Sequence, residues 1–309
     1  MSFRMKLRRA YYTHPIVANA LQPIAAWRRR IRTNQVSAKS IDETIERLFV
    51  EAPLVRIPEF EGEFRVRPKS DLLRRLVRTG SYEPETAALA RRLIDRTRDV
   101  IDIGANVGFF SILAARLTSG SVLAAEPVPS VLALLQHNIR HNEQTSHVRI
   151  FNGVITDEPG TVVLQVVEDH EEYSSILKIA HPCATNRQTT QIAVNALNVD
   201  SLVVAEKLNP GFMKIDVEGA EHKVLAGAKR TLNTSRPVLL SEFSPKLMAS
   251  NSVDPSLVLS QLGSSGYRLF DPAVPGLPAG RRPLGDLLAV PEELYTEREI
   301  LDILYSIHP

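Results

Sequence analysis

The chain has 309 residues, enough for one large α/β domain or two smaller ones, and at 44% hydrophobic and 23% charged it can bury a substantial core. Lys+Arg at 37 against Asp+Glu at 35 leaves +2, which argues against a surface built to neutralise a nucleic-acid backbone. A single cysteine, Cys183, excludes an intrachain disulfide framework and a cysteine-rich zinc site and suits a reducing, cytoplasmic compartment, and no apolar run is long enough to span a bilayer.

Residues 1–40 hold nine Lys/Arg and no acid. An apolar run from Ile16 to Trp27 is broken by Asn19, Gln22 and Pro23, and Arg28-Arg29-Arg30 follows where a secretory signal needs a small-residue cleavage site. We expect a basic, mostly helical extension, solvated or locally packed; contact with a membrane surface or an anionic partner is the alternative, with a transit peptide weakened by Pro15 and Pro23. Residues 41–98 read as an N-terminal substrate or lid region. Glu63 to Arg67 alternates like a half-exposed strand, Asp71 to Val77 suits a short helix, and the turn Gly80-Ser81-Tyr82-Glu83-Pro84 opens a helix over Glu85 to Ile94.

From residue 99 to 271 strands and helices alternate. Val100–Ile103, Val122–Ala125, Val148–Ile155, Phe212–Val217, Pro237–Phe243 and Tyr267–Phe270 read as strands, with Thr161–Val167 as an added one. Between them, Phe110–Leu117 is helical, Val128, Val131, Leu132, Leu135 and Ile139 form one apolar helix face, and Ala220, Val224, Leu225 and Ala228 another; Pro255–Leu262 is a further helix. This alternation predicts a mainly parallel sheet covered on both faces. The stretch after Asp271, with Pro272, Pro275, Pro278 and Pro283, reads as a Pro-rich C-terminal tail in loop conformation, 272–309.

The chemistry concentrates in two segments. In Asp102-Ile103-Gly104-Ala105-Asn106-Val107-Gly108 a buried strand ends in a glycine turn that opens a helix; bare backbone and free helix N–H groups there favour close approach of an anionic ligand group. The nicotinamide fingerprint G-x-G-x-x-G lacks its middle glycine here. Glu126-Pro127 ends the next strand, where a carboxylate can accept from both hydroxyls of a ribose. The second segment is Lys214-Ile215-Asp216-Val217-Glu218-Gly219-Ala220-Glu221, which brings Asp216 and Glu218 to the same sheet edge.

Together these motifs resemble the FkbM family of S-adenosylmethionine (SAM)-dependent methyltransferases, over roughly residues 80–270. The resemblance implies a Rossmann-like class I methyltransferase fold, SAM as cofactor, and O-methylation of a hydroxyl on a sugar, polyketide, glycolipid or similar small metabolite. Tyr82-Glu83 resembles a G-x-Y-E element placed ahead of the SAM turn in that family, and Ser174-Ser175 a small polar pair. The candidate cofactor residues are Tyr82, Glu83, Asp102, Gly104, Ala105, Asn106, Gly108, Glu126, Pro127, Gly153, Val154 and Asp216. Methyl transfer to an alcohol benefits from a base, for which Asp216, Glu218 and Glu242 are the candidates. Paired carboxylates also suit a divalent cation, kept as the alternative. Glu221 reads more simply as a first-turn acid facing the helix dipole. The family's L-D-x-L pattern is altered to Leu197-Asn198-Val199-Asp200, so either Asn198 or Asp200 takes that place. His137 and His141 sit four apart but lack a third ligand, which makes them surface helix residues. A nicotinamide oxidoreductase and a catalytically silent nucleoside-binding module are the competing readings; a nucleic-acid substrate is not expected.

Overall fold

The computed structural model describes residues 52–181, 184 and 187–308; the basic extension and Cys183 lie outside them. An antiparallel hairpin, β1 (Leu54–Ile57) and β2 (Gly62–Arg65), precedes helices α1 (Asp71–Thr79) and α2 (Pro84–Leu93). Then come β3 (Asp99–Ile103), α3 (Phe109–Leu117), β4 (Val122–Ala125), α4 (Pro129–His141) and β5 (Val148–Phe151). A side layer is made of β6 (Val154–Ile155), β7 (Gly160–Val167) and β8 (Thr189–Leu197). The chain continues through α5 (Val199–Ala205), β9 (Pro210–Ile215), α6 (Glu221–Ala226), α7 (Lys229–Thr234), β10 (Val238–Glu242), α8 (Pro245–Ser250) and α9 (Pro255–Ser264). It ends with β11 (Tyr267–Phe270), β12 (Asp286–Pro291) and α10 (Glu297–Ile307).

Among the described residues the main sheet has seven strands in the order β11-β12-β10-β9-β3-β4-β5. Strands β3, β4, β5, β9 and β10 are parallel, and β12 runs antiparallel between β10 and β11. This is the class I methyltransferase arrangement. The alternation along each strand explains why helices cover both faces. Val100, Val122, Ala124, Phe212 and Leu240 join one apolar cluster with α2, α3 and α4, while Ile101, Ile103, Leu123, Met213 and Leu239 join the other with α5, α6 and α9. Strand order reverses between β3 and β9, so their carboxyl ends splay apart there, at the place where open α/β sheets take ligands.

The described part of the region read as substrate or lid segment packs on α3 and α4. Asn138 on α4 and Asn142 at its C-cap, one turn apart, act as a substitute strand for β2. Asn138 Oδ1 accepts from Arg65 N–H at 2.7 Å and its amide donates to Arg65 O at 3.1 Å; Asn142 does the same for Glu63 at 3.1 and 2.7 Å. Phe60, Phe64 and Tyr82 then close on Phe109, with ring centroids 5.6, 4.5 and 5.3 Å from it.

Two expectations change. The segment read as one strand over 148–155 is split: Val148–Phe151 pairs with β4, whereas Val154 and Ile155 turn away to pair with β8. The tail read as loop instead supplies β12 and α10. Its prolines precede the apolar run Leu287-Leu288-Ala289-Val290, which is buried in the main sheet, and Thr296 and Glu299 form a capping box that starts α10 against α2.

Candidate active site

A cavity of about 790 Å³ opens at the carboxyl ends of β3, β4, β9 and β10. It is lined by Tyr82, Glu83, Gly104, Asn106, Glu126 and Pro127, together with Gly153 and Val154. Lys214, Asp216, Glu218, Glu242 and the 171–176 segment also line it. Most of the expected site residues therefore meet in one place. Asp102, Ala105 and Gly108 do not line the cavity.

The glycines of the turn after β3 also serve packing within the chain. Gly104 has φ +80°, and a Cβ there would fall 1.8 Å from the Asp216 carbonyl oxygen; Gly108 has φ +91°, and its Cβ would meet Leu135 Cδ1 at 2.6 Å. Both allow close contact, β3 against β9 and α3 against α4, and Gly104 lines the cavity as well. Asn106 also has positive φ, +51°. Its N–H points at Glu126 Oε2 (3.0 Å), and Val128 N–H holds Glu126 Oε1 (2.9 Å). Glu126 is 5% exposed. Burial pushes its carboxyl up to about 7 against the pull of those two N–H groups, with Asp102 and Asp216 adding to the rise. Asp102 lies beneath the turn, where Ser111 Oγ donates to Oδ2 at 2.5 Å and Oδ1 has no partner; burial raises it as well.

The acid-lined lobe is organised by one cation. Lys214 Nζ donates to Asp216 Oδ2 at 2.7 Å. Burial alone would depress this ammonium, but Asp216, Asp102 and Glu83 outweigh it and raise it. Glu218 adopts left-handed backbone, φ +55°. The loop around it is clamped by Glu221, whose Oε1 accepts from Gly219 N–H (3.1 Å) and Val217 N–H (3.3 Å), and by Ser175 Oγ, which donates to Glu218 O at 3.1 Å. That is the structural role read for Glu221, although at 1% exposure burial pushes it up to about 7. Ser244 Oγ donates to Glu242 Oε1 at 3.3 Å, while Oε2 of Glu218 and of Glu242 is buried without a partner. Burial, then the neighbouring acids, holds both carboxyls well above the usual range.

One carboxylate oxygen from each of Asp216, Glu218 and Glu242 lies within 4.8 Å of the others. Hard oxygen donors of this kind suit a divalent cation. Asp216 Oδ2, however, already accepts from Lys214, so a metal using it would displace that ammonium. A second cluster, Asp71, His170 and Glu172, is likewise served by a cation: Arg74 Nη1 lies 3.0 Å from Asp71 Oδ1 and 3.2 Å from His170 Nε2.

Tyr82 and Glu83 stand at the cavity's edge, with the Arg75 guanidinium 5.2 Å above the Tyr82 ring and 3.8 Å from Glu83. Ser174 and Ser175 line the 171–176 side. Asn198 and Asp200 do not reach the cavity. Asn198 caps α5, and the Asp200 carboxylate accepts from Arg230 N–H, Thr231 N–H and Thr231 Oγ1 to start α7. His137 and His141 stack on each other on α4, and His141 faces Glu63 at 3.2 Å. Sequence reading gave no role to Lys214, Arg75, Asp71 or Asp286, all cavity residues. Lys214 alone carried a signal, as a charged residue inside the apolar strand Phe212-Met213-Lys214-Ile215.

The description "Methyltransferase FkbM domain" matches residues 102–269 of this chain. No curated protein matches it in sequence. Among solved structures, it is similar to methyltransferase FkbM from Methylobacillus flagellatus KT at 18% identity and TM-score 0.43, covering 64% of this chain and 45% of that one. The chain thus spans less than half the length of that relative. It is similar to an O-methyltransferase from Bacillus cereus in complex with SAH at 15% identity and TM-score 0.44, covering 81% and 96%. Precorrin-6Y C5,15-methyltransferase from Geobacter metallireducens GS-15 follows at 14% and 0.41, covering 68% and 88%. With the domain match running over more than half of its residues, and with both motifs at one sheet edge, this chain belongs to the FkbM methyltransferase family.

Proposed function

We propose that this protein transfers the methyl group of SAM to a hydroxyl of a sugar, glycolipid or comparable hydroxylated small molecule. The observation that carries the reading is the Glu126 carboxylate, buried on the cavity wall beside the β3 turn and sharing that cavity with Asp216, Glu218 and Glu242. Its two oxygens suit the vicinal hydroxyls of an adenosine ribose. The excess of acids over bases along the lining favours a sulfonium, which is a cation. In such a site the protein's own residues hold acceptor oxygen, methyl carbon and sulfur in line, and an acid of the Asp216, Glu218 and Glu242 lobe receives the hydroxyl proton as the C–O bond forms.

Two features disfavour a nicotinamide enzyme. Asn106 occupies the position of the missing glycine, and its N–H is turned to Glu126 rather than to the cavity. The cavity is polar and rich in carboxylates, which suits a polyhydroxylated acceptor and opposes a phosphate backbone. No helix of the described residues is long and apolar enough to cross a membrane; peripheral contact through the basic segment 1–40 belongs to the proposal. The test is incubation of the purified chain with methyl-labelled SAM and pools of hydroxylated metabolites, followed by mass spectrometry. A labelled product heavier by one methylene, with SAM converted to S-adenosylhomocysteine (SAH), supports the reading. Reduction of a nicotinamide in place of methyl transfer would overturn it.

A further inference from the structure

We infer that Glu218 and Glu242 act as one proton-sharing carboxyl pair that takes the proton of the acceptor hydroxyl, while Lys214 keeps Asp216 out of that step. The inference rests on the methyl-transfer reading above.

The three acids of the lobe are not equivalent. Asp216 Oδ2 is committed to Lys214 Nζ at 2.7 Å, and that ammonium is also surrounded by Asp102 and Glu83. Taking up a proton at that oxygen would break the ion pair and leave the Lys214 ammonium, only 12% exposed, without its hydrogen-bonded partner, which is costly. Glu218 and Glu242 have no such partner. Each has an Oε2 that is closed to solvent and accepts no hydrogen bond, and the two side chains bring carboxylate oxygens within 4.8 Å of each other. Two unpaired negative charges at that separation in a buried site are strongly disfavoured; one proton held between them relieves the repulsion. The other groups that face the pair are Asp216, Glu221, Glu172 and Lys214 around Glu218, and Glu221, Asp216 and Asp286 around Glu242. All of these but Lys214 are acids, and Lys214 is hydrogen-bonded to Asp216, so no cation is bonded to the pair to offset its charge.

The backbone fits this use. Glu218 is held in left-handed conformation by the Glu221 clamp and by Ser175, a local cost that the surrounding bonds sustain. Electrons and charge balance. Before transfer the pair holds one proton and one negative charge, opposite the single positive charge of the sulfonium. The hydroxyl proton moves to the ionised carboxylate as the oxygen bonds to the methyl carbon. The C–S bond breaks with its electron pair left on sulfur, giving a neutral thioether beside a fully protonated pair. The extra proton then returns to solvent.

The test uses the full chain loaded with SAH, carrying ¹³C at the glutamate carboxyl carbons, titrated by NMR between acid and mildly alkaline pH. The pair should lose its protons in two linked steps, one carboxyl remaining protonated at neutral pH. Glu242→Gln should collapse this to a single step for Glu218, and Asp216→Asn should leave both steps present. Two independent, ordinary titrations for Glu218 and Glu242 would overturn the inference. In parallel, label transfer from methyl-labelled SAM to a panel of methyl glycosides gives the pH–rate profile. Glu242→Gln should cost about 100-fold in kcat and move the acidic limb, with SAH affinity retained. Asp216→Asn should slow the reaction without moving that limb, and a moved limb would assign the base to Asp216 instead. Failure of the wild-type chain to bind SAH would defeat the methyltransferase reading itself; the same titration of the SAH-free chain reads out the pair independently of that binding.

Discussion

Replacing Gly104 by alanine places a Cβ 1.8 Å from the Asp216 carbonyl oxygen, where non-bonded heavy atoms need roughly 3.4 Å or more. The obstacle is backbone, so the ends of β3 and β9 must separate by about 1.5 Å. That motion breaks the Asp216 N–H to Ile103 O bond (2.9 Å) and strains the Gly104 N–H to Ala125 O bond (3.1 Å), at about 1 kcal/mol each. Left-handed backbone for a residue with a Cβ adds about 1–2 kcal/mol, and overpacking of the buried Ile103 and Ile215 about 1 kcal/mol more. The expected loss is about 4–5 kcal/mol. Gly108→Ala is the internal control: it meets the mobile end of Leu135 at 2.6 Å, so its cost should stay near 2 kcal/mol. Urea unfolding followed by circular dichroism measures both. Equal losses for the two variants, or a Gly104→Ala protein within about 1 kcal/mol of wild type, would refute the close-approach argument.

Asp200→Ala removes three hydrogen bonds at the start of α7 and should cost about 2–3 kcal/mol in urea unfolding while leaving SAH affinity unchanged; a change in affinity would place it in the site after all. The carboxyls of Glu126 and Glu221 sit at about 7 in the folded chain against an ordinary 4.5, so the folded state binds their protons more tightly. Their contribution is therefore fully present below about pH 4.5 and is lost as pH rises through about 7, and urea midpoints should fall across that interval. A midpoint that rises there contradicts the burial argument. Lys214→Met strips the cation from Asp216, Asp102 and Glu83, and should lower Tm more at pH 8 than at pH 5, because burial raises Asp102 and Glu83 towards protonation at the lower pH; equal losses at both would mean that Lys214 does not balance them.

The main sheet was legible because its strands are nearly continuous apolar runs, and two motifs of fixed spacing marked its functional edge. Glu126 and Asp216 each follow such a run, so their side of the molecule could be read directly. The strand at Asp286–Pro291 was not legible, since four prolines just before it carry the signature of a loop while its partner β10 is distant in sequence. The same limit hid the split at Gly153: which sheet Val154 joins depends on β8, some forty residues away. Side-chain partnership was the other blind spot. Spacing brought Asp216 and Glu218 together, but only the fold shows that Lys214 engages one and leaves the other unpartnered. The packing role of the turn's glycines was hidden for the same reason, because their neighbours Asp216 and Leu135 come from other elements.

Calorimetric titration of SAH into the wild-type chain and into Glu126→Ala tests the cofactor assignment most directly. The account predicts binding in the micromolar range for the wild type, and a Kd weaker by about 100-fold in the variant, from two ribose hydroxyls losing a charged acceptor at roughly 1.5 kcal/mol each. An identical Kd for the two proteins, or no binding to the wild type, would contradict it.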